Sequence, residues 1–515
     1  MRRHNMNKKA LIITLILIST TSILIATPSW YTNNYVNQFS GYFIGKGFSE
    51  IKNGNEAASE KRAIQMALSD AASTISCSVS GKTINRISEE GSGTQTQVED
   101  YFLNETKIKT DLEVMNYTVL DKAVEDNIFY AMIGLPLKDI KKIYRYEIER
   151  GINKIAQSFQ LAEQIASSNP NEAIKKYEQC IAYIQDITED MKIYLFLNNW
   201  QNDLENRMKA LPARNTIEEK LITLVGMTPK STIILADELL ESVIARMKNN
   251  SSFIIYPFEW QNTGFVSEFG NTFSEIVANK LNTAKNCKRL NIKDFAAADY
   301  VIRGKLINSD AGLYIFLTVK NISNNSEMSN QIFVNKVTCN NIGWDKIKPK
   351  DLDKALQDKL ALYESIQSDN SLKVELQTEK MSDGPVVYYF DEEPQLLVKS
   401  NKVCYVRLIY IFSDGLKTLL VDNYFIPTDK TNQWVKLPFD FIVCEPAGIE
   451  QMLMQASTEK MPDLYVKRVP IDENSHIDVI ETGLAEQIAK TRGIKIKNPE
   501  KEITERVYQW TVFEK

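Results

Sequence analysis

Blocks of apolar and polar positions divide the N-terminal third of the chain into a small α/β unit. An apolar run at 41–48 predicts a strand whose glycines allow close backbone approach, and apolar residues at helical spacing over 56–79 predict a helix after it. Runs typical of strands follow at 107–119 and 128–135, separated by the charged segment 121–127. The pattern predicts a strand, a helix and then two paired strands.

The pattern becomes helical from Leu137 to about Leu211. The segment Asn169-Pro170-Asn171-Glu172 predicts the capped start of a new helix after a break. Residues 159–184 resemble a single tetratricopeptide-like helix pair, with no second copy at a fixed period. Because such repeats need neighbours to stack on, we interpret 137–211 as a helical spacer that holds two units apart.

A second α/β pattern occupies residues 231–349. Helices are predicted at 236–248 and 266–281, and strands at 252–258, 300–308 and 313–319. Short apolar strands between turns then predict a β-rich domain over 386–460. The tail, 461–515, is charged and ends in a predicted strand around 507–512.

The first 26 residues have the order of a secretory signal. Arg2, Arg3, Lys8 and Lys9 precede an uncharged run over 10–26. We expect a mature protein that begins near residue 27. The alternative is an uncleaved inner-membrane anchor, although the run is shorter than the roughly 20 residues of a spanning helix.

Length and composition predict several domains and argue against nucleic-acid binding. A chain of 515 residues with 43% hydrophobic content is too long for one core. The formal net charge is -5 and the cations are spread along the chain, so no basic face is predicted to neutralise a phosphate backbone.

Three stretches resemble known families, and the first two of these families belong to envelope proteins. The segments Pro28-Ser29-Trp30 and 43–47, with the alanine-rich helix and the closing strands, make 27–136 similar to the twenty-kilodalton outer-membrane lipoprotein domain, which is related to the N-terminal domain of flagellar assembly protein T. No cysteine precedes Cys77, so the lipid attachment typical of that family is not expected. The resemblance implies an α/β domain that acts in the cell envelope.

The second and third resemblances lie farther along the chain. The "IIYPF" strand, the helix after it and the pair Asp299-Tyr300 make 231–349 similar to the N-terminal domain of TolB and to the α/β domain of curli secretion lipoproteins. Residues 386–460, with Cys404-Tyr405-Val406 and "EPAGIEQMLMQAS", resemble a bacterial C-terminal domain of unknown function. That domain is often appended to exported or caspase-like proteins.

Six cysteines stand singly, with no C-x-x-C pair, so neither a zinc site nor a dense disulfide framework is indicated. Most are expected to be small buried hydrophobes. Cys404 and Cys444 lie in one predicted domain, and an oxidising compartment permits a bridge between them. The sequence leaves that bridge open.

Catalytic residues, cofactor sites and metal sites are not predicted. Of two histidines, His4 lies in the predicted signal and His476 in a predicted solvated loop, which leaves no Ser-His-Asp or Cys-His arrangement. The acidic pairs Glu89-Glu90, Glu189-Asp190 and the run Asp391-Glu392-Glu393 are interpreted as solvated charge rather than a glycosidase pair. The nucleotide-binding motif G-x-x-x-x-G-K-[ST] is absent, and Gly41, Gly45 and Gly47 do not have the order G-x-G-x-x-G at the start of a helix.

Aromatic residues near the loop after the "IIYPF" strand are the candidate partner-binding site. Trp260, Phe265 and Phe269 flank that loop, and exposed aromatics at strand ends often bind partners. Core packing is the alternative role for these side chains.

The sequence thus predicts an α+β multidomain protein: two small α/β sandwich units joined by a helical segment, followed by a β-rich C-terminal domain. The expected function is that of a non-enzymatic binding or assembly protein with envelope-protein partners, located in the periplasm or peripherally at the outer membrane. The alternatives are a hydrolase acting on an envelope polymer and a subunit of a secretion or pore assembly. The oligomeric state stays open.

Overall fold

The computed structural model describes thirteen stretches of the chain. These are residues 28, 30, 41–51, 54–90, 108, 117–125, 127–226, 228–365, 372–380, 384–438, 440–470, 476–480 and 502–515. The predicted signal segment 1–26 and most of the predicted strand 107–119 lie outside the described residues. Within the described ranges, no helix is long and apolar enough to cross a bilayer.

The N-terminal unit is a three-stranded antiparallel sheet with one long helix across it. Its elements are β1 (Tyr42–Glu50), α1 (Glu56–Glu90), β2 (Thr118–Glu125) and β3 (Ile128–Pro136), and the strand order is β1-β3-β2. The prediction that 121–127 is a long connection is wrong, because most of these charged residues lie in β2. The chain turns at Asn127, whose φ of 63° is tolerated by asparagine.

Glycines on β1 let the helix approach the sheet closely. A Cβ atom at Gly45 would lie 2.0 Å from the carbonyl oxygen of Ala67, and one at Gly47 would lie 2.1 Å from that of Ala63. Both distances are far below van der Waals contact. The predicted role of these glycines, close backbone approach, is confirmed.

Two long helices then form an antiparallel hairpin, with two shorter helices after it. They are α2 (Leu137–Ile165), α3 (Pro170–Leu197), α4 (Glu205–Lys209) and α5 (Arg214–Val225). The side chain of Asn169 accepts the N–H of Glu172 at 3.3 Å and Pro170 opens the helix, so the predicted cap is confirmed.

The central unit is a mixed sheet with helices on one face. Its strands are β4 (Ser252–Ile255), β5 (Glu259–Trp260), β6 (Phe265–Val266), β7 (Lys288–Arg289), β8 (Tyr300–Ser309), β9 (Gly312–Asn321) and β10 (Glu327–Asn335). The main strand order is β10-β9-β8-β4-β7, which makes β10 an edge strand. The helices are α6 (Thr232–Ile244), α7 (Glu268–Lys285), α8 (Lys336–Ile342) and α9 (Trp344–Ile347). This unit lies where the sequence predicted an α/β pattern.

The C-terminal unit is a β-sandwich preceded by helix α10 (Leu352–Ser365). The small sheet contains β11 (Val374–Gln377), β13 (Leu397–Ser400) and β16 (Val435–Lys436). The large sheet contains β12 (Val387–Tyr389), β14 (Cys404–Ile411), β15 (Lys417–Ile426), β17 (Gly448–Ser457), β18 (Val466–Pro470), β19 (His476–Ile480) and β20 (Ile503–Phe513). A β-rich C-terminal region is therefore confirmed.

The tail returns to the large sheet as its second strand, next to the edge strand β12. β20 lies between β12 and β17 and pairs with β17 along ten residues, from Ile503–Ser457 to Val512–Gly448. The predicted final strand is present, and the sheet extends beyond the predicted limit of residue 460.

The helical hairpin does not hold the two α/β units apart. Buried side chains of α2 and α3 form one hydrophobic core with Ile133 and Leu135 of the N-terminal sheet and with Ile307, Tyr314 and Phe333 of the central sheet. The prediction of a spacer is wrong, because apolar side chains of the hairpin pack against both the N-terminal sheet and the central sheet.

The C-terminal unit also packs on the N-terminal one. Asn432 donates to the Tyr130 hydroxyl at 3.1 Å, and Lys373 pairs with Asp70 at 2.9 Å. Asp70 is largely buried, and Lys373 and Arg506 counteract that burial and hold the pKa of its carboxyl below the usual value. The described units are thus joined by specific polar contacts as well as by a shared core.

Cys404 and Cys444 are both free thiols. Cys404 is buried in the sandwich, where burial raises the pKa of its thiol to about 11, while Cys444 is exposed. The bridge that the sequence left open is not formed in this structure.

Candidate functional site

A cleft of about 700 Å³ opens between the helical hairpin and the face of the central sheet that lies opposite α6 and α7. We call it the hairpin–sheet cleft. α2 and α3 supply one wall, and β8, β9 and β10 supply the other. Its closed end is the shared core around Ile307, Tyr314 and Phe333.

The register of the sheet explains why this face is polar away from the core. Ile307, Tyr314 and Phe333 form one cross-strand row. The next two rows toward the opening are Lys305, Phe316 and Gln331, and then Arg303, Thr318 and Ser329. Side chains alternate between the faces of a sheet, so these rows face the hairpin. The wall therefore grades from apolar to charged toward the cleft mouth.

The same alternation places Glu259 in the cleft and Trp260 in the core. β5 runs parallel to β8, with Glu259 beside Lys305 and Trp260 beside Leu306. Leu306 faces the α6 and α7 side of the sheet, and Trp260 is 0% exposed there. The expectation that Trp260 is exposed for a partner is therefore wrong.

Phe265 and Phe269 are buried as well, at 0% and 5% exposure. Phe269 stacks on Phe273 with ring centroids 5.1 Å apart. The adjoining loop is covered by the C-terminal unit: Lys359 donates to the Thr263 carbonyl at 2.7 Å, and the Val266 N–H donates to Thr511 at 3.1 Å. The alternative role, core packing, accounts for all three aromatics.

Glu189 and Asp190 are the residues that the sequence interpretation missed. They were expected to be solvated, but they are 4% and 6% exposed on α3. Glu189 accepts the Asn262 amide at 2.6 Å and lies 3.5 Å from the Lys305 ammonium. The acidic pair lies within an amphipathic helix rather than on a turn, and this position was the feature of the sequence that could have indicated its burial.

Burial perturbs the carboxyls around the cleft. It raises the pKa of Glu259, an effect that the nearby Lys305 opposes and Glu189 reinforces. The Oε2 atom of Glu259 accepts the Gly264 N–H at 3.2 Å. Behind the closed end, burial raises the pKa of Glu178 to about 8, although its carboxyl accepts the Phe333 N–H at 2.8 Å.

The lining carries more acids than bases. The acids are Glu147, Asp186, Glu189, Asp190, Glu259 and Glu327, and the bases are Arg150, Lys154, Arg303 and Lys305. The formal balance of this lining is therefore six carboxyls against four cations. Lys154 also lies 5.0 Å from the centre of the Tyr183 ring, which makes the hairpin wall partly aromatic. Such a surface is suited to a ligand with cationic groups.

The remaining predicted positions do not converge on the cleft. His476 is exposed at the first position of β19, rather than in a loop. Glu392 pairs with Lys380 at 2.5 Å in the C-terminal unit. No group of three or more histidine, cysteine or acidic residues in the described part of the chain is arranged to hold a metal ion.

Comparison with known proteins gives little more than weak structural neighbours. No protein-family model and no curated protein matches the chain. The LpoB C-terminal domain from Salmonella enterica is 10% identical with a TM-score of 0.17, over 21% of this chain and 96% of that one. The secreted protein HP1454 from the human pathogen Helicobacter pylori is 12% identical with a TM-score of 0.22, over 63% of this chain and 97% of that one. At these TM-scores neither likeness carries an argument about function.

Proposed function

We propose that this protein is an exported, non-enzymatic envelope protein that binds a partner in the hairpin–sheet cleft. The observation that carries the proposal is the cleft itself: an open, charged sheet face beside buried carboxyls, at the junction of two units. Sites of this kind, concave and lined by a few converging polar groups, are where proteins usually bind ligands. The signal-like order of residues 1–26 supports export.

Binding is favoured over hydrolysis by the contacts of the carboxyls. Glu189 is engaged by Asn262 and Lys305, and Glu259 by the Gly264 amide. A catalytic acid–base pair must have its carboxyls directed at the scissile bond. Carboxyls that already accept hydrogen bonds from the protein are better suited to forming a fixed binding surface.

Site-specific photo-crosslinking in cells tests the proposal. A benzoylphenylalanine at Thr318, on the open sheet face, is expected to yield an adduct of higher mass after irradiation. The matched control replaces Thr283, which is exposed on α7 on the other side of the sheet, and is expected to yield none. Absence of a Thr318-specific adduct would contradict binding in the cleft.

The hydrolase alternative is tested separately with purified protein and isolated envelope polymer. We expect no release of soluble fragments. Release that is lost in Glu259→Gln, with folding intact, would replace the binding proposal by an enzymatic one.

A further inference from the structure

We infer that the ligand of the hairpin–sheet cleft is an extended segment of a partner polypeptide, carrying Lys or Arg at alternate positions, that pairs with the edge strand β10. This inference rests on the proposed function and adds the class of ligand and its mode of binding.

The hydrogen-bonding phase of β10 shows which groups point outward. The Phe333 N–H donates to Glu178 of α3 rather than to β9. In an antiparallel pair, the N–H and C=O of one residue point to the same side and alternate residues point to opposite sides. Gln331, Ser329 and Glu327 therefore present their backbone groups to the outer edge, as Phe333 does.

One end of this strand edge is blocked by another side chain, and the other end is exposed to solvent. At Phe333 the edge is occupied by the buried Glu178 carboxyl. Toward the start of the strand, Ser329 and Glu327 are exposed and line the cleft together with Gln331. In the described part of the chain, the outward backbone groups of these three residues have no hydrogen-bond partner.

The length of the open edge fits a short peptide. From Glu327 to Gln331 it extends for about 14 Å, at roughly 3.4 Å per residue step. An added strand of about five residues would satisfy these backbone groups, the mode of recognition known as β-augmentation.

The charge of the cleft indicates the side chains of that peptide. Alternate side chains of an added strand lie on the same face as Ser329 and Gln331, beneath the hairpin. The lining of the whole cleft has six carboxyls against four cations, and the exposed Glu327 of β10 is one of these carboxyls. Lysine or arginine at alternate positions complements this surplus.

A selection of random heptapeptides on the purified full-length chain at low salt tests the inference. We expect the enriched peptides to carry Lys or Arg at alternate positions and to lack a central proline. Affinity of the synthesised peptides, measured by fluorescence anisotropy, should fall as salt is raised because the charges are partly exposed.

The diagnostic variant is Ser329→Pro, compared with Ser329→Ala. Proline removes an outward N–H and no bond to β9, and edge strands tolerate it in that orientation. We expect Ser329→Pro to weaken peptide binding at least tenfold and Ser329→Ala to leave it unchanged, with equal thermal midpoints. A second variant, Glu327→Lys, is expected to weaken binding of basic peptides about fivefold.

Three results would overturn the inference. One is a selection that yields no binder or only peptides without basic residues. Another is equal peptide affinity in Ser329→Pro and the parent chain. The third is a dimer by light scattering that Ser329→Pro converts to a monomer, because a second copy would then occupy the edge. If crosslinking from Thr318 persists in any of these cases, the proposed function survives and only strand pairing fails.

Discussion

At the scale of single residues, burial decides the roles of the aromatic and acidic side chains. Trp260 was a candidate contact residue, yet its neighbour Glu259 occupies the accessible face. Glu189 and Asp190, interpreted as solvated, are the ones enclosed. In both cases, burial depends on which element packs on the face of the strand or helix that carries the side chain. That element is distant in sequence, so the spacing of residues along the chain does not identify it.

Trp260→Ser is expected to lower the free energy of unfolding by about 3–5 kcal/mol, because it removes a large side chain from a packed core. Urea unfolding followed by circular dichroism measures this loss. The matched control is Trp434→Ser, since Trp434 is 39% exposed and should change stability far less. Equal losses in the two variants would contradict the core assignment.

Glu178 predicts a pH-dependent stability. Its pKa rises from the ordinary value of 4.5 to about 8 in the folded protein, so the folded state holds a proton that the unfolded state releases between these values. Its contribution is fully present below pH 4.5 and is lost as pH rises through 8. Glu178→Gln keeps an acceptor for the Phe333 N–H and should flatten this dependence.

The measurement is the urea midpoint of Glu178→Gln and the parent chain from pH 5 to 8. The variant should gain in relative stability toward pH 8. Glu327→Gln, an exposed change on β10, the strand whose Phe333 N–H Glu178 accepts, is the control and should leave the slope as it is. A slope unchanged in Glu178→Gln would show that this carboxyl does not titrate as expected.

At the scale of elements, the sequence correctly predicted those helices and strands whose main contacts are with residues near them in the chain. The cap at Asn169, the glycines of β1 and the long pair β8–β9 follow from turn chemistry and alternation. β2 was misplaced because an edge strand tolerates charge on both faces, which removes the alternation by which a strand is predicted. The hairpin–sheet cleft could not be predicted, since it forms between elements distant in sequence.

Gly47→Ala tests the close contact between β1 and α1. The added Cβ would meet the Ala63 carbonyl at 2.1 Å, so the helix must move. We expect a loss of about 1–3 kcal/mol, as for other overpacked sites. Thr118→Ala, exposed on β2, serves as control in the same thermal unfolding assay. Similar midpoints for the two variants would show that the helix accommodates the methyl group.

At the scale of the whole molecule, the C-terminal strand connects the units. β20 fills the large sheet between β12 and β17, and its Thr511 hydroxyl accepts the Val266 N–H of the central unit. A chain that stops at residue 501 lacks this strand. We expect it to be insoluble or to lose protease resistance over 386–470, whereas a chain that stops at residue 513 should behave as the full chain does. Limited proteolysis with mass spectrometry distinguishes them, and an equally resistant 501-residue chain would contradict the central role of β20.

The position of β20 has a consequence for biogenesis. Val266 and Thr511 are 245 residues apart, so this contact closes a very long loop, and until residue 513 has emerged β12 and β17 keep open edges. Unpaired edges in an incomplete sheet are sites of aggregation. A chain that crosses a membrane from its N-terminus would complete this sheet only at the end of translocation. We therefore expect its yield to depend strongly on chaperones that hold unfolded chains in the receiving compartment.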